Sequence, residues 1–136
     1  MERAPVWIDT PLALVAYTAP GLMEVRFKPG MPLTLDGVDR MMEVRQELSK
    51  QGRHRILMVL PNEGVDFELQ TISTDHNRNH PQPNTEAVAW AAWTVQNQQI
   101  VRLYEAYWPT EFPVEVFLTE DEARQWLSTY DPDVRD

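Results

Sequence analysis

The stretch Arg55-Ile56-Leu57-Met58-Val59-Leu60 stands between Gly52 and Pro61 and is apolar from Ile56 onward. A short apolar run bounded by turn residues is typical of a β-strand that is covered on both faces. The run at 87–92, Ala-Val-Ala-Trp-Ala-Ala, has the same character. We predict that these two strands lie side by side in a parallel sheet, which requires a crossover segment between them.

Upstream of these strands, the sequence predicts a β-hairpin and a helix. Residues 12–18 and 23–27 favour strands, and the linker Ala19-Pro20-Gly21-Leu22 has turn chemistry, because Pro fixes φ and Gly tolerates a positive φ. Thr34 is a suitable N-cap for the helix that follows. The apolar stripe of this helix is Leu35, Val38, Met41, Met42 and Leu48. We interpret the stripe as core packing against the sheet rather than as a ligand contact.

The end of the chain predicts two more helices separated by a short strand at 114–118. Thr94 caps the first of them, and Pro109 ends it. Thr119 and Glu122 form a capping box for the last helix. The expected apolar stripe of the helix after Thr94 is Ile100, Leu103, Tyr104, Tyr107 and Trp108.

The apolar residues of segment 65–80 fit both the two-residue period of a strand and the 3.6-residue period of a helix. Its first residues alternate between apolar and polar, as in a strand, whereas Val65, Leu69, Ile72 and His76 share one helical face. We favour a helix capped by Asp66, because parallel strands need a crossover. The order of the predicted strands and helices along the chain indicates a single-domain α/β fold with a mostly parallel sheet, an N-terminal antiparallel hairpin and about four helices.

Length and composition limit the classes of protein that fit. The 136 residues suit one domain at 12–130, with an N-terminal extension at 1–11 and a flexible acidic tail at 131–136. Cysteine is absent, which excludes disulfides and thiolate metal sites. The net charge of -9 disfavours a nucleic-acid partner. No apolar run approaches the roughly 20 residues of a membrane span, so we expect a cytoplasmic protein without membrane insertion.

Several local sequences resemble the small bacterial domains grouped as SpoIIAA-like or STAS-like, the anti-sigma-factor-antagonist fold. The best match is Phe112-Pro113-Val114-Glu115-Val116-Phe117-Leu118-Thr119 with the helix residues 120–127. The turn Phe27-Lys28-Pro29-Gly30 and the strand Leu57-Met58-Val59-Leu60 add to the resemblance, which spans residues 12–128. It implies a non-enzymatic regulatory domain that docks on a protein partner. Members with a known role are phosphorylated at a Ser within Asp-x-Ser-Gly, but the equivalent stretch here, 60–67, contains no Ser or Thr.

Two polar groups are candidate ligand-binding residues. Thr94, Gln96 and Asn97 open a helix beyond the carboxyl end of a predicted strand, where open α/β sheets bind ligands and free backbone N–H groups favour anions. The other group is Asp75, His76 and His80. His76 and His80 stand four residues apart, a spacing that lets two imidazoles share a Zn²⁺ with a carboxylate.

Three functional hypotheses follow. The first is a STAS-like domain that binds a protein partner or a small molecule. The second is a metal-dependent hydrolase that uses His76 and His80. The third is a carrier of a small apolar ligand, because some domains of this fold are grouped with lipid-binding relatives. No Walker, dinucleotide or Gly-x-Ser-x-Gly motif is present, so we name no catalytic residue and no cofactor. Trp7 and Trp93 stand near segment ends, where aromatic rings often complete a homodimer interface.

Overall fold

The computed structural model describes residues 4–130 and contains one six-stranded sheet. Its strands, in spatial and in chain order, are β1 (Ile8–Asp9), β2 (Ala13–Ala19), β3 (Leu22–Phe27), β4 (His54–Val59), β5 (Thr85–Ala91) and β6 (Val114–Phe117). The first three pair antiparallel, and β3 to β6 are parallel. The predicted α/β class is confirmed, and β4 and β5 are the parallel neighbours that the two apolar runs predict. Gly21 has a φ of +70°, as the hairpin turn requires.

The helices of the described region are α1 (Leu35–Ser49), α2 (Leu69–Ile72), α3 (His76–Asn79), α4 (Val95–Tyr107) and α5 (Glu120–Ser128). The three long helices begin where the sequence predicts. The side chains of Thr34, Thr94 and Thr119 each accept a hydrogen bond from the backbone N–H three residues further on.

The prediction of one helix capped by Asp66 between β4 and β5 is wrong. The crossover contains two single-turn helices, α2 and α3, and Glu68 stands at the N-cap of α2. The Thr74 hydroxyl donates to the Gln70 carbonyl at 2.7 Å, whereas in a continuing helix that carbonyl accepts from the backbone. The Asp75 carboxylate then caps α3. Side-chain hydrogen bonds therefore divide the segment.

The sheet has a core on each face. Along β4, Ile56 and Met58 point to the larger core beneath α1 and α4, while Leu57 and Val59 point to a smaller core beneath α5. This alternation explains why every residue of β4 is buried. Ala87, Ala89 and Ala91 line the smaller core, and their short side chains leave room for α5.

Helix α4 turns only part of its predicted apolar stripe inward: Tyr104 faces the sheet side, while two other members point outward. Leu103 and Tyr107 are 48% and 64% exposed. Asn97 and Val101 are buried instead. The inward side of α4 therefore carries polar residues, which an apolar pattern cannot reveal.

Strand β1 brings part of the predicted N-terminal extension into the sheet, where it pairs with β2. The predicted tail at 131–136 lies outside the described residues. None of the helices in residues 4–130 combines the length and the apolar character that crossing a membrane demands.

A charged cluster ties β3 to α5. The Glu24 side chain is only 5% exposed, and its carboxylate oxygens lie 3.0 Å from nitrogens of Arg26 and Arg124. Both arginines also pair with Glu120 on α5, at 2.7 and 2.8 Å. Each charge in this cluster therefore has opposite charges beside it, which limits the cost of removing Glu24 from water.

We expect Glu24→Gln to lower the free energy of unfolding by about 2 kcal/mol, because the two arginines lose a shared carboxylate. The matched control is Glu47→Gln, which breaks an exposed pair with Lys50 and should change stability by less than about 0.5 kcal/mol. Urea denaturation followed by tryptophan fluorescence measures both values. Equal effects of the two variants would show that the cluster adds no more than an ordinary surface pair.

Candidate functional site

A cavity of about 70 Å³ lies between the sheet and the helices on its larger-core side. Strands β4 and β5 form its floor, α1 and α4 form its walls, and the crossover with α2 and α3 covers it. Most of its lining is apolar, as shown by Met41, Met58, Val88, Val101 and Phe112. One water needs roughly 10–15 Å³ of such space, so the cavity has room for a small organic molecule.

Arg45 projects from α1 into this apolar cavity. Only 4% of the residue is exposed. Its Nη1 lies 3.2 Å from the sulfur of Met42 and 3.9 Å from that of Met58, both of which are weak acceptors. Within residues 4–130, its Nε and Nη2 atoms have no hydrogen-bond partner. Burial lowers the pKa of Arg45 to about 10, so the side chain remains a cation at neutral pH.

A titratable acid faces the same cavity. Burial raises the pKa of Glu105 to about 7, although the charge of Arg45 and the indole of Trp90 both act to lower it. The indole Nε1 of Trp90 is buried and makes no hydrogen bond of standard geometry with any residue from 4 to 130. Next to Glu105, burial raises the pKa of Tyr104 to about 12. At neutral pH the cavity thus holds one cation, Arg45, and one acid, Glu105, that is partly ionised.

Of the predicted ligand-binding residues, only His76 lines this cavity. Its ring stacks on Tyr104 with the centroids 5.8 Å apart, and its Nε2 lies 2.8 Å from the Thr71 carbonyl. Burial lowers the pKa of His76 below its usual value, so the ring is neutral at pH 7.

His76 and His80 share one acidic neighbour. The Asp39 carboxylate lies 3.8 Å from Nδ1 of His76 and 3.3 Å from Nε2 of His80. Over the described range 4–130, no three His, Asp or Glu side chains are arranged as a metal site. Asp75 caps α3 through the backbone N–H of Arg78. The structure therefore gives the hydrolase hypothesis no support.

The other predicted group has structural roles. Thr94 caps α4, and Gln96 is exposed. Asn97 is fully buried, where it accepts from the Val65 N–H at 3.0 Å and donates to the Glu63 carbonyl at 2.8 Å. It therefore fastens the loop after β4 to α4.

The two predicted groups do not form one site. Thr94 is the N-cap of α4, whereas His76 contacts α4 at Tyr104, ten residues later. At 1.5 Å per residue, these two positions on the helix are about 15 Å apart.

The sequence interpretation missed Arg45, Trp90 and Glu105. A signal existed for Arg45, which stands four residues after Met41 and three after Met42, on the apolar side of α1. A charged residue within an inward stripe is unusual, because burying a lone charge is costly. Glu105 stands four residues after Val101, but that signal is visible only once the inward face of α4 is known.

We expect Asn97→Ala to destabilise the protein by about 2 kcal/mol, because the buried Val65 N–H loses its acceptor. Gln96→Ala, one residue earlier and exposed, should have an effect within about 0.5 kcal/mol. Thermal and urea unfolding measure both variants. A stable Asn97→Ala protein would mean that the loop is held by other contacts.

Comparisons of the chain with protein-family models, with curated proteins and with solved structures find no match. The function is therefore inferred from the residues that line the cavity.

Proposed function

We propose that this domain binds a small apolar carboxylic acid, with the carboxylate paired to Arg45 inside the cavity. The observation that carries the proposal is the buried guanidinium whose Nε and Nη2 atoms have no partner in the described chain. These two nitrogens lie on one edge of the guanidinium, and such an edge forms two parallel hydrogen bonds to a carboxylate. The surrounding methionine, valine and aromatic side chains suit the hydrocarbon part of the ligand.

A structural role explains Arg45 less well. Removing a cation from water costs several kcal/mol unless opposite charge and hydrogen bonds compensate for it. The thioether sulfurs of Met42 and Met58 are weak acceptors and supply little of that compensation. An apolar side chain at this position would pack against the same neighbours without the desolvation cost. A bound carboxylate supplies both the charge and the acceptors that the guanidinium lacks.

The chemistry of the cavity favours a monocarboxylate over a phosphate. One guanidinium balances a single negative charge, while Glu105 in the same cavity adds negative charge of its own. A phosphate dianion would therefore be poorly compensated in this apolar space. The proposal joins the small-ligand form of the first hypothesis with the apolar-ligand carrier of the third. The protein partner and the homodimer stay predictions.

We expect Arg45→Met to abolish carboxylate binding without lowering stability. Isothermal titration with straight-chain carboxylates from acetate to hexanoate should show binding to the wild type that weakens at least tenfold in the variant. The free energy of unfolding should stay equal or rise, because methionine fills the same space without a buried charge.

Arg102→Met is the matched control, since Arg102 is an exposed arginine of α4 outside the cavity. It should keep the affinity of the wild type. Failure of the whole carboxylate series to bind the wild type would refute the proposed function. A large loss of stability in Arg45→Met would instead assign Arg45 to the support of the fold.

A further inference from the structure

We propose that ligand binding is coupled to the uptake of one proton by Glu105, so that the anionic acid and a proton enter the cavity together. This inference rests on the proposed function, because it concerns the second charge that faces the same ligand. Arg45 on α1 and Glu105 on α4 both line the cavity. The two side chains form no ion pair within 4 Å in the described structure, so an object between them can contact both.

The charge balance of the cavity changes when a carboxylate enters. Without the ligand, the positive charge of Arg45 is the main factor that favours the ionised form of Glu105. A carboxylate paired to Arg45 cancels that positive charge. Two anions would then share an apolar cavity with one cation, and like charges at close range shift one of the acids to its neutral form. Glu105 accepts the proton, because the ligand carboxylate has the better hydrogen-bond donors.

The other groups that face Glu105 do not titrate in the relevant range. Burial raises the pKa of Tyr104 to about 12, so the phenol stays protonated. Burial lowers the pKa of His76 on α3, so this ring is neutral at pH 7 and above. The indole of Trp90 on β5, which also lines the cavity, is a hydrogen-bond donor that does not ionise. Asp39 and His80 lie on the far side of His76, outside the lining of the cavity. Proton uptake on binding therefore reports Glu105.

The pH dependence follows from the direction of the shift. Free Glu105 has a pKa of about 7, and the bound ligand raises it further. Below pH 7 the acid already holds its proton, so the affinity is flat until the ligand itself becomes protonated. Above pH 7 each binding event must take up a proton, so the affinity falls about tenfold for each pH unit.

Calorimetry with the tightest-binding member of the acetate-to-hexanoate series tests the coupling. Titrations at pH 8 in Tris and in HEPES, two buffers with different ionisation enthalpies, give the number of protons that are taken up. We expect about one proton for the wild type and none for Glu105→Gln, whose side chain mimics the neutral acid. The affinity of Glu105→Gln should not change between pH 6.5 and 8.5, while that of the wild type falls more than tenfold.

His80→Gln is the control, because it removes a histidine near the cavity and should retain the proton uptake. Binding by the wild type without proton uptake would overturn this inference and leave the proposed function intact. Proton uptake that persists in Glu105→Gln would overturn it as well. If the wild type binds no member of the series at either pH, the proposed function fails and this inference fails with it.

Discussion

The parallel pairing of β4 and β5, buried on both faces, is the constraint that organises this protein. Strands that run in the same direction must be joined by crossovers, and right-handed crossovers along a sheet of sequential strand order place their helices on one face. Helices α1 and α4 and the α2–α3 segment accordingly lie on the larger-core side. Among the helices of residues 4–130, only α5, which follows the last strand, is free to cover the opposite face. The position of the cavity follows from this arrangement.

The cavity exists because one crossover differs from the other two. A long helix packs over the sheet after β3 and again after β5, but the connection after β4 has only two single turns. This thinner cover spans the gap between α1 and α4 without filling it. Arg45 and Glu105 are buried at the small apolar cavity that remains, and this burial shifts the pKa of both groups.

Local signals predicted most of the fold and little of the site. Strands β2 to β6, the hairpin turn at Gly21 and the three threonine caps each depend on neighbouring residues, so the sequence reveals them directly. The interrupted crossover depends on the hydroxyl of Thr74, which competes with the helix in a way that periodicity does not register. Asn97 was predicted as a ligand-binding residue at the start of α4, whereas in the structure its side chain bonds to Glu63 and Val65 and holds the loop after β4. Arg45 and Glu105 stand 60 residues apart, and only the fold, which makes α1 and α4 walls of the same cavity, brings them to one site.

The short outer strands of the sheet have a consequence for the behaviour of the protein at high concentration. Strand β1 has two residues and β6 has four, so each edge offers few unpaired backbone groups to another chain. Long, flat edges are templates for intermolecular strand addition and for fibril growth, and short ones suppress both. Self-association of this protein should therefore proceed through side-chain surfaces, and the continuous sheet between two molecules that characterises amyloid is disfavoured by its architecture.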